Sequence, residues 1–209
     1  MKIYLAGPDV FLPDRIEIGR RKTAICARYG LTGLYPLDQP VDLAADTISL
    51  SIFRGNEAMM DAADAIIANL TPFRGPGADA GTAYELGYMA GRRKLCPGYC
   101  NDPAAYADRV RRLTVVKPDG DRLVDPEGLT VEDFGLPDNL MLIHALDLYG
   151  CGLVTPGVVR GYGRKSDETQ ETRAHPLKLA ARIAAPKPAP SATPRSRAIS
   201  GVRVRIHGE

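Results

Sequence analysis

Residues 64–91 read DAIIANLTPFRGPGADAGTAYELGYMAG, and three textures follow one another within them. Ala65 to Ala68 is an apolar run of strand length. Thr71 to Ala78 has the glycine and proline content of a loop. Asp79 suits the N-cap of a helix that follows it. The segment therefore predicts a β-loop-α unit. In open α/β sheets, ligands sit outside the carboxyl ends of the strands, where such a loop lies. Asp79 and Glu85 are six positions apart. Glu85, one to two turns into the helix and beside Ala80, Gly81, Thr82 and Ala83, is expected to face the loop with room for a small molecule.

Working outward, the same alternation recurs. Lys2 to Ala6 reads as a buried first strand bounded by Gly7-Pro8, and Arg15 to Arg28 as a helix stopped by Gly30, with Ile16, Ala24, Ile25 and Ala27 on its buried side. Leu31 to Tyr35 is a second strand closed by Pro36. Asp46 or Thr47 caps a helix that runs to about Ala63 and carries Ile48, Ile52, Met59 and Met60 at helical spacing, the two methionines as core. Lys94 to Pro97 reads as a fourth strand, Ala104 to Leu113 as a helix and Thr114 to Val116 as the start of a further strand. Leu136 to Leu148 reads as the last helix, with Leu140, Ile143, His144 and Leu148 on its apolar side. Strand-helix alternation predicts an α/β fold: a mainly parallel, about five-stranded sheet with helices on both faces, of the flavodoxin or Rossmann kind.

The composition narrows the function classes. The 209 residues are 44% hydrophobic and 25% charged, as in globular proteins, and the net charge of +2 gives no reason to expect a nucleic-acid or membrane partner. The four cysteines show no CxxC pair and the three histidines are scattered, so a metal centre is not expected and the thiols are read as reduced and mostly buried. Neither a signal core nor an apolar run of about 18 residues is present, which leads to the expectation of a cytoplasmic protein. After about Arg160 the texture changes. Residues 161–209 are basic and proline-rich and are expected to form a disordered tail behind a domain spanning 1–160.

Four segments are candidates to converge on one pocket: Tyr4 to Phe11, Asn56, the Asp79/Glu85 pair with its loop, and Pro137 to Met141. Together they resemble the nucleoside 2-deoxyribosyltransferase family over roughly residues 1–150. The carrying residues are Ile3-Tyr4-Leu5-Ala6-Gly7-Pro8 with Phe11, Asn69-Leu70-Thr71-Pro72-Phe73-Arg74-Gly75, Asp79-x-Gly81-Thr82-x-x-Glu85-Leu86-Gly87-Tyr88 and Asn139-Leu140-Met141. The resemblance implies that Glu85 is the nucleophile that attacks the anomeric carbon of deoxyribose, that Tyr4 orients it, and that Asp79 binds the sugar and manages protons. It implies a base-side role for Asn56, where some members carry aspartate. It also implies that Asn139 reaches the 5′-hydroxyl in a neighbouring subunit's site, hence a homo-oligomer. Gly7, Phe11 and Phe73 complete the expected substrate-binding set, the two phenylalanines by stacking on the base. The substrates implied are a deoxynucleoside and a free nucleobase, with no cofactor. Two alternatives remain open on sequence: an N-glycoside hydrolase of deoxynucleosides or their 5′-monophosphates, and a non-catalytic nucleotide sensor.

Overall fold

The computed structural model describes residues 1–40 and 47–155. Among these, five strands form one parallel sheet: β1 (Lys2–Ala6), β2 (Thr32–Leu34), β3 (Ala65–Asn69), β4 (Gly98–Tyr99) and, further along the chain, Leu153–Val154. Their spatial order is β2-β1-β3-β4 and then Leu153–Val154 at the edge, every pair parallel. This is the doubly wound order whose direction of winding reverses between β1 and β3, which opens a crevice at their carboxyl ends.

Strand alternation sorts the core into two layers. Tyr4, Ala6, Ile66 and Ala68 point to the face covered by α2 (Ile48–Ala62), α3 (Ala80–Gly91) and a late helix, Leu140–Tyr149. Ile3, Leu5, Ala65 and Ile67 point to the opposite face, covered by α1 (Arg15–Arg28). Helix α3 contains three glycines, each unfavourable by roughly 1 kcal/mol relative to alanine in a helix interior. Burial of Thr82, Leu86, Met89 and Ala90 on its sheet-facing side offsets that weakness. Helix α2 ends where Lys94 Nζ donates to the carbonyls of Met60, Asp61 and Ala63 at 2.7–2.8 Å.

Several expectations shift. The buried side of α1 is Gly19, Lys22 and Cys26, while Ile16, Ala24 and Ala27 are exposed and Ile25 is half-buried. The phase is set by contacts the apolar pattern does not encode: Gly19 lies against the Tyr35 ring, and Lys22 is drawn inward to Asp9. On α2, Met60 is core and Met59 packs against it, but Ile48 and Ile52 are exposed. Thr47 occupies the α2 N-cap without a side-chain cap bond, and Asp46 lies outside the described residues. The fourth strand is Gly98–Tyr99 rather than Lys94 to Pro97. The carbonyls of Leu95 and Pro97 accept from Ile66 N and Ala68 N, but Pro97 has no N–H to continue the ladder.

Beyond β4, the short α4 (Tyr106–Arg111) is followed by a small antiparallel sheet: β5 (Lys117–Asp119), β6 (Arg122–Val124) and β7 (Thr130–Val131). The expected strand at Thr114 to Val116 is displaced into it. Its polar strands carry little of the alternation that marks a strand in sequence. The last helix, α5, is Leu140–Tyr149, beginning at the Asn139 cap after Pro137 instead of at Leu136. It buries Ile143 and Leu146, whereas His144 is exposed and Leu148 is 77% exposed. It leads to β8 (Leu153–Val154), which completes the main sheet. No helix of the described residues is long and apolar enough to cross a membrane. Residues 161–209 lie outside the described residues.

Candidate active site

The crevice at the β1/β3 switch point gathers chemistry from both strands and from α2 and α3. Tyr4, fully buried on β1, donates its hydroxyl to Glu85 Oε1 at 2.6 Å, joining residues 81 positions apart. Burial, opposed by the Tyr4 bond and aided by the Asp79 charge, pushes the Glu85 carboxyl up to about 7. Burial, and then the charge of Glu85 itself, push the Tyr4 phenol far above the usual tyrosine range, so it remains a donor. Asp79 is the N-cap of α3. Its Oδ2 accepts from Thr82 N at 2.9 Å and from Thr82 Oγ1 at 3.1 Å, which holds the carboxylate at the helix start.

Glu85 lies on a solvent-open cavity of about 360 Å³ between α2 and α3. Phe53, Asn56 and Met60 line it from α2, and Gly81, Tyr84 and Glu85 from α3. The Phe53 and Tyr84 rings are 5.9 Å apart and tilted. Asn56 Oδ1 accepts from Gln39 Nε2 at 2.8 Å, which leaves the Asn56 amide donors for other partners. A Cβ on Gly55 would overlap the Gln39 side chain, so glycine is what lets Gln39 lie across α2 and reach Asn56.

The remaining expected residues form two neighbouring groups. Gly7 permits a close approach at the end of β1, since a Cβ there would lie 2.7 Å from both Asn69 Cβ and Asp9 Oδ2. Asn69 Nδ2 donates to Asp9 Oδ2 at 3.0 Å, and the buried Lys22 ammonium donates to the same oxygen. The loop after β1 is thereby tied to β3. Phe11 and Phe73 stack on each other at 5.1 Å, with the Arg74 guanidinium over both rings, and neither lines the cavity beside Glu85. Asn139 caps α5: its Oδ1 accepts from Met141 N at 3.0 Å and its Nδ2 donates to Glu132 Oε1 at 2.7 Å.

A family model described as nucleoside 2-deoxyribosyltransferase matches residues 3–141, about two thirds of the sequence. The chain belongs to the nucleoside 2-deoxyribosyltransferase family. Its similarity to a solved 2-desoxiribosyltransferase from Leishmania mexicana is 31% identity over 85% of this chain and 97% of the other, with a TM-score of 0.54. A conserved protein from Enterococcus faecalis V583 has the same fold at 19% identity, covering 88% of this chain and 98% of its own, with a TM-score of 0.54. An uncharacterized protein of Schizosaccharomyces pombe, C191.05c, is 34% identical over 156 residues, 66% of this chain and 74% of its own length.

Sequence reasoning missed Gln39, Phe53 and Tyr84, and assigned Met60 to the core alone. The signal for two of them was available as helical spacing, and for Tyr84 as its place in the run that carries Glu85. Phe53 and Met60 stand at −3 and +4 from Asn56, and Tyr84 adjoins Glu85 on the facing helix. Gln39 had no such signal, because its role depends on the approach of its loop to Gly55.

Proposed function

We propose that the chain exchanges nucleobases on 2-deoxyribose through a covalent deoxyribosyl-Glu85 intermediate. The observation that carries this reading is the Tyr4–Glu85 pair, a carboxyl titrating at about 7 on the wall of an apolar cavity. A carboxylate that ionises near neutrality is a better nucleophile than a fully solvated one, and a buried tyrosine donor holds the attacking oxygen in one direction.

In the forward half-reaction a Glu85 oxygen attacks C1′ and the N-glycosidic bond breaks, its electron pair leaving with the base nitrogen. Asp79 manages protons and binds the sugar at the start of α3. The Asn56 amide, with its oxygen engaged by Gln39, donates to the departing base and stabilises its negative charge. Phe53 and Tyr84 present apolar surface to the base. In the second half-reaction a ring nitrogen of the incoming base attacks C1′, releases the carboxylate and gives up its proton. Two inversions give net retention. A ribose 2′-hydroxyl would crowd Glu85 and destabilise the cationic transition state, so deoxyribose is preferred. In this reading the enzyme is a cytoplasmic homo-oligomer in which Asn139 serves a neighbouring site.

The test is to incubate the protein with deoxyadenosine or thymidine, with and without a second free base, and to separate the products. A new deoxynucleoside formed only with the acceptor is expected. Free base released at the same rate without acceptor would replace the transferase with a hydrolase, and comparable turnover of adenosine and deoxyadenosine would refute the sugar preference.

A further inference from the structure

Asp138 is 3% exposed, and its two oxygens face different elements. Oδ1 accepts from Asn139 N at 2.8 Å, at the N-terminus of α5. Oδ2 accepts from Ala78 N at 3.1 Å, 60 positions away and one residue before the Asp79 cap of α3. The loop is in van der Waals reach here: a Cβ on Gly77 would lie 3.5 Å from Asp138 Oδ1. Among the described residues, the basic group ion-paired with this carboxylate is Arg109 on α4, 2% exposed, at 3.6 Å. The three guanidinium nitrogens of Arg109 make no hydrogen bond among the described residues. The guanidinium therefore supplies counter-charge without fixing direction, and the directional bonds of Asp138 all run to backbone N–H groups.

We propose that Asp138 is a positioning residue. Its buried carboxylate ties the start of α5 to the loop that delivers Asp79, and so sets the place of Asp79 beside Glu85, with Arg109 as the neutralising charge. The inference rests on the proposed reading for the roles of Asp79 and Glu85, but not for the bond that joins the two helix starts. Without the carboxylate, Ala78 N loses its acceptor and the Arg109 charge is left buried alone, a strongly unfavourable state. The informative variant is therefore Asp138→Asn combined with Arg109→Met. It removes both charges together and leaves one carbonyl oxygen where two acceptors are needed.

The first readout needs no substrate. The carbon-13 titration of the Glu85 carboxyl is followed in the full chain, where Tyr4 and Asp79 are the groups that act on it. The double variant is expected to lower the Glu85 midpoint, because the Asp79 charge that raises it is no longer held close. The same pair of changes in an Asp79→Asn background is expected to leave the midpoint where it is. An unchanged midpoint with Asp79 present, or an equal drop in both backgrounds, would overturn the proposal. Amide exchange at Ala78 in the native chain gives a second readout that no folding defect can obscure. Slow exchange comparable with Thr82 is expected, and rapid exchange would refute the bond. Where base exchange is measurable, kcat/KM of the double variant is expected to fall about tenfold to a hundredfold, as for a misplaced group that both binds the sugar and handles protons. Absence of base exchange in the native chain would refute the proposed function and leave the titration to decide the role of Asp138.

Discussion

At Glu85 two demands oppose each other. Burial holds the carboxyl protonated below about pH 7, while attack on carbon needs it ionised. The proposed activity should therefore rise with pH through about 7, measured as kcat/KM for a deoxynucleoside donor. The Tyr4 bond lowers the Glu85 midpoint. Tyr4→Phe is thus expected to move this limb to higher pH by about one unit and to slow turnover roughly tenfold to a hundredfold, the scale of one charge-assisted hydrogen bond. A limb that stays in place would detach Tyr4 from the chemistry. The same shift has a consequence for stability. The folded-state midpoint lies above the unfolded one, about 7 against 4.5, so the folded chain binds the extra proton between those values. Its contribution is fully present below about 4.5 and is lost as pH rises through about 7, a loss on the order of 3 kcal/mol. Glu85→Gln carries no such loss. It should raise the thermal midpoint over the native chain at pH 8 by more than at pH 5, while abolishing turnover and retaining nucleoside binding. Equal effects at both pH values would show that the carboxyl is not desolvated.

In helix α3 a cap and a proposed catalytic group coincide in one residue. Asp79 satisfies Thr82 N and Oγ1 as a cap and sets part of the field at Glu85. Asparagine also caps helices well, so Asp79→Asn should keep the melting temperature near that of the native chain while lowering both the Glu85 midpoint and turnover. Asp79→Ala should also lose about 1 kcal/mol of stability, and urea unfolding of the pair separates the two roles. This element was legible in the sequence because its signals are local: an apolar run, a glycine-rich loop, a capping aspartate and then helical spacing. The phase of α1 was not legible. Lys22 turns inward because Asp9, held beside Asn69 by the close approach at Gly7, waits in the turn that follows β1. The small β5-β6-β7 sheet escaped because its strands are too short and polar to alternate visibly, and β8 because two residues carry no period at all. In the candidate site, Tyr4, Asp79 and Glu85 were readable from the motifs, and Asn56 only from the family resemblance. Gln39 depends on a loop crossing that no sequence spacing records.

At the scale of the whole molecule, the winding of the sheet reverses between β1 and β3, and the crevice formed there receives Tyr4 from β1, the loop after β3, and Glu85 from the helix that follows. Every residue in this arrangement comes from the first 85 positions, and the Asp138 anchor of its loop extends the requirement only to α5. The main sheet closes with β8 at Val154, and the family match spans residues 3–141. A chain ending at residue 165 therefore contains every element among the described residues that builds or braces the site. It should unfold in one cooperative transition at the native midpoint, and its kcat and KM for base exchange should equal those of the full chain. The basic segment beyond 165 affects neither quantity if it is an appendage. A truncated protein that melts early would place residues 166–209 against the sheet. One that melts normally but shows a raised KM would instead make the tail part of substrate capture, and titrating salt would then separate a charge effect from packing, because only the former weakens as ionic strength rises.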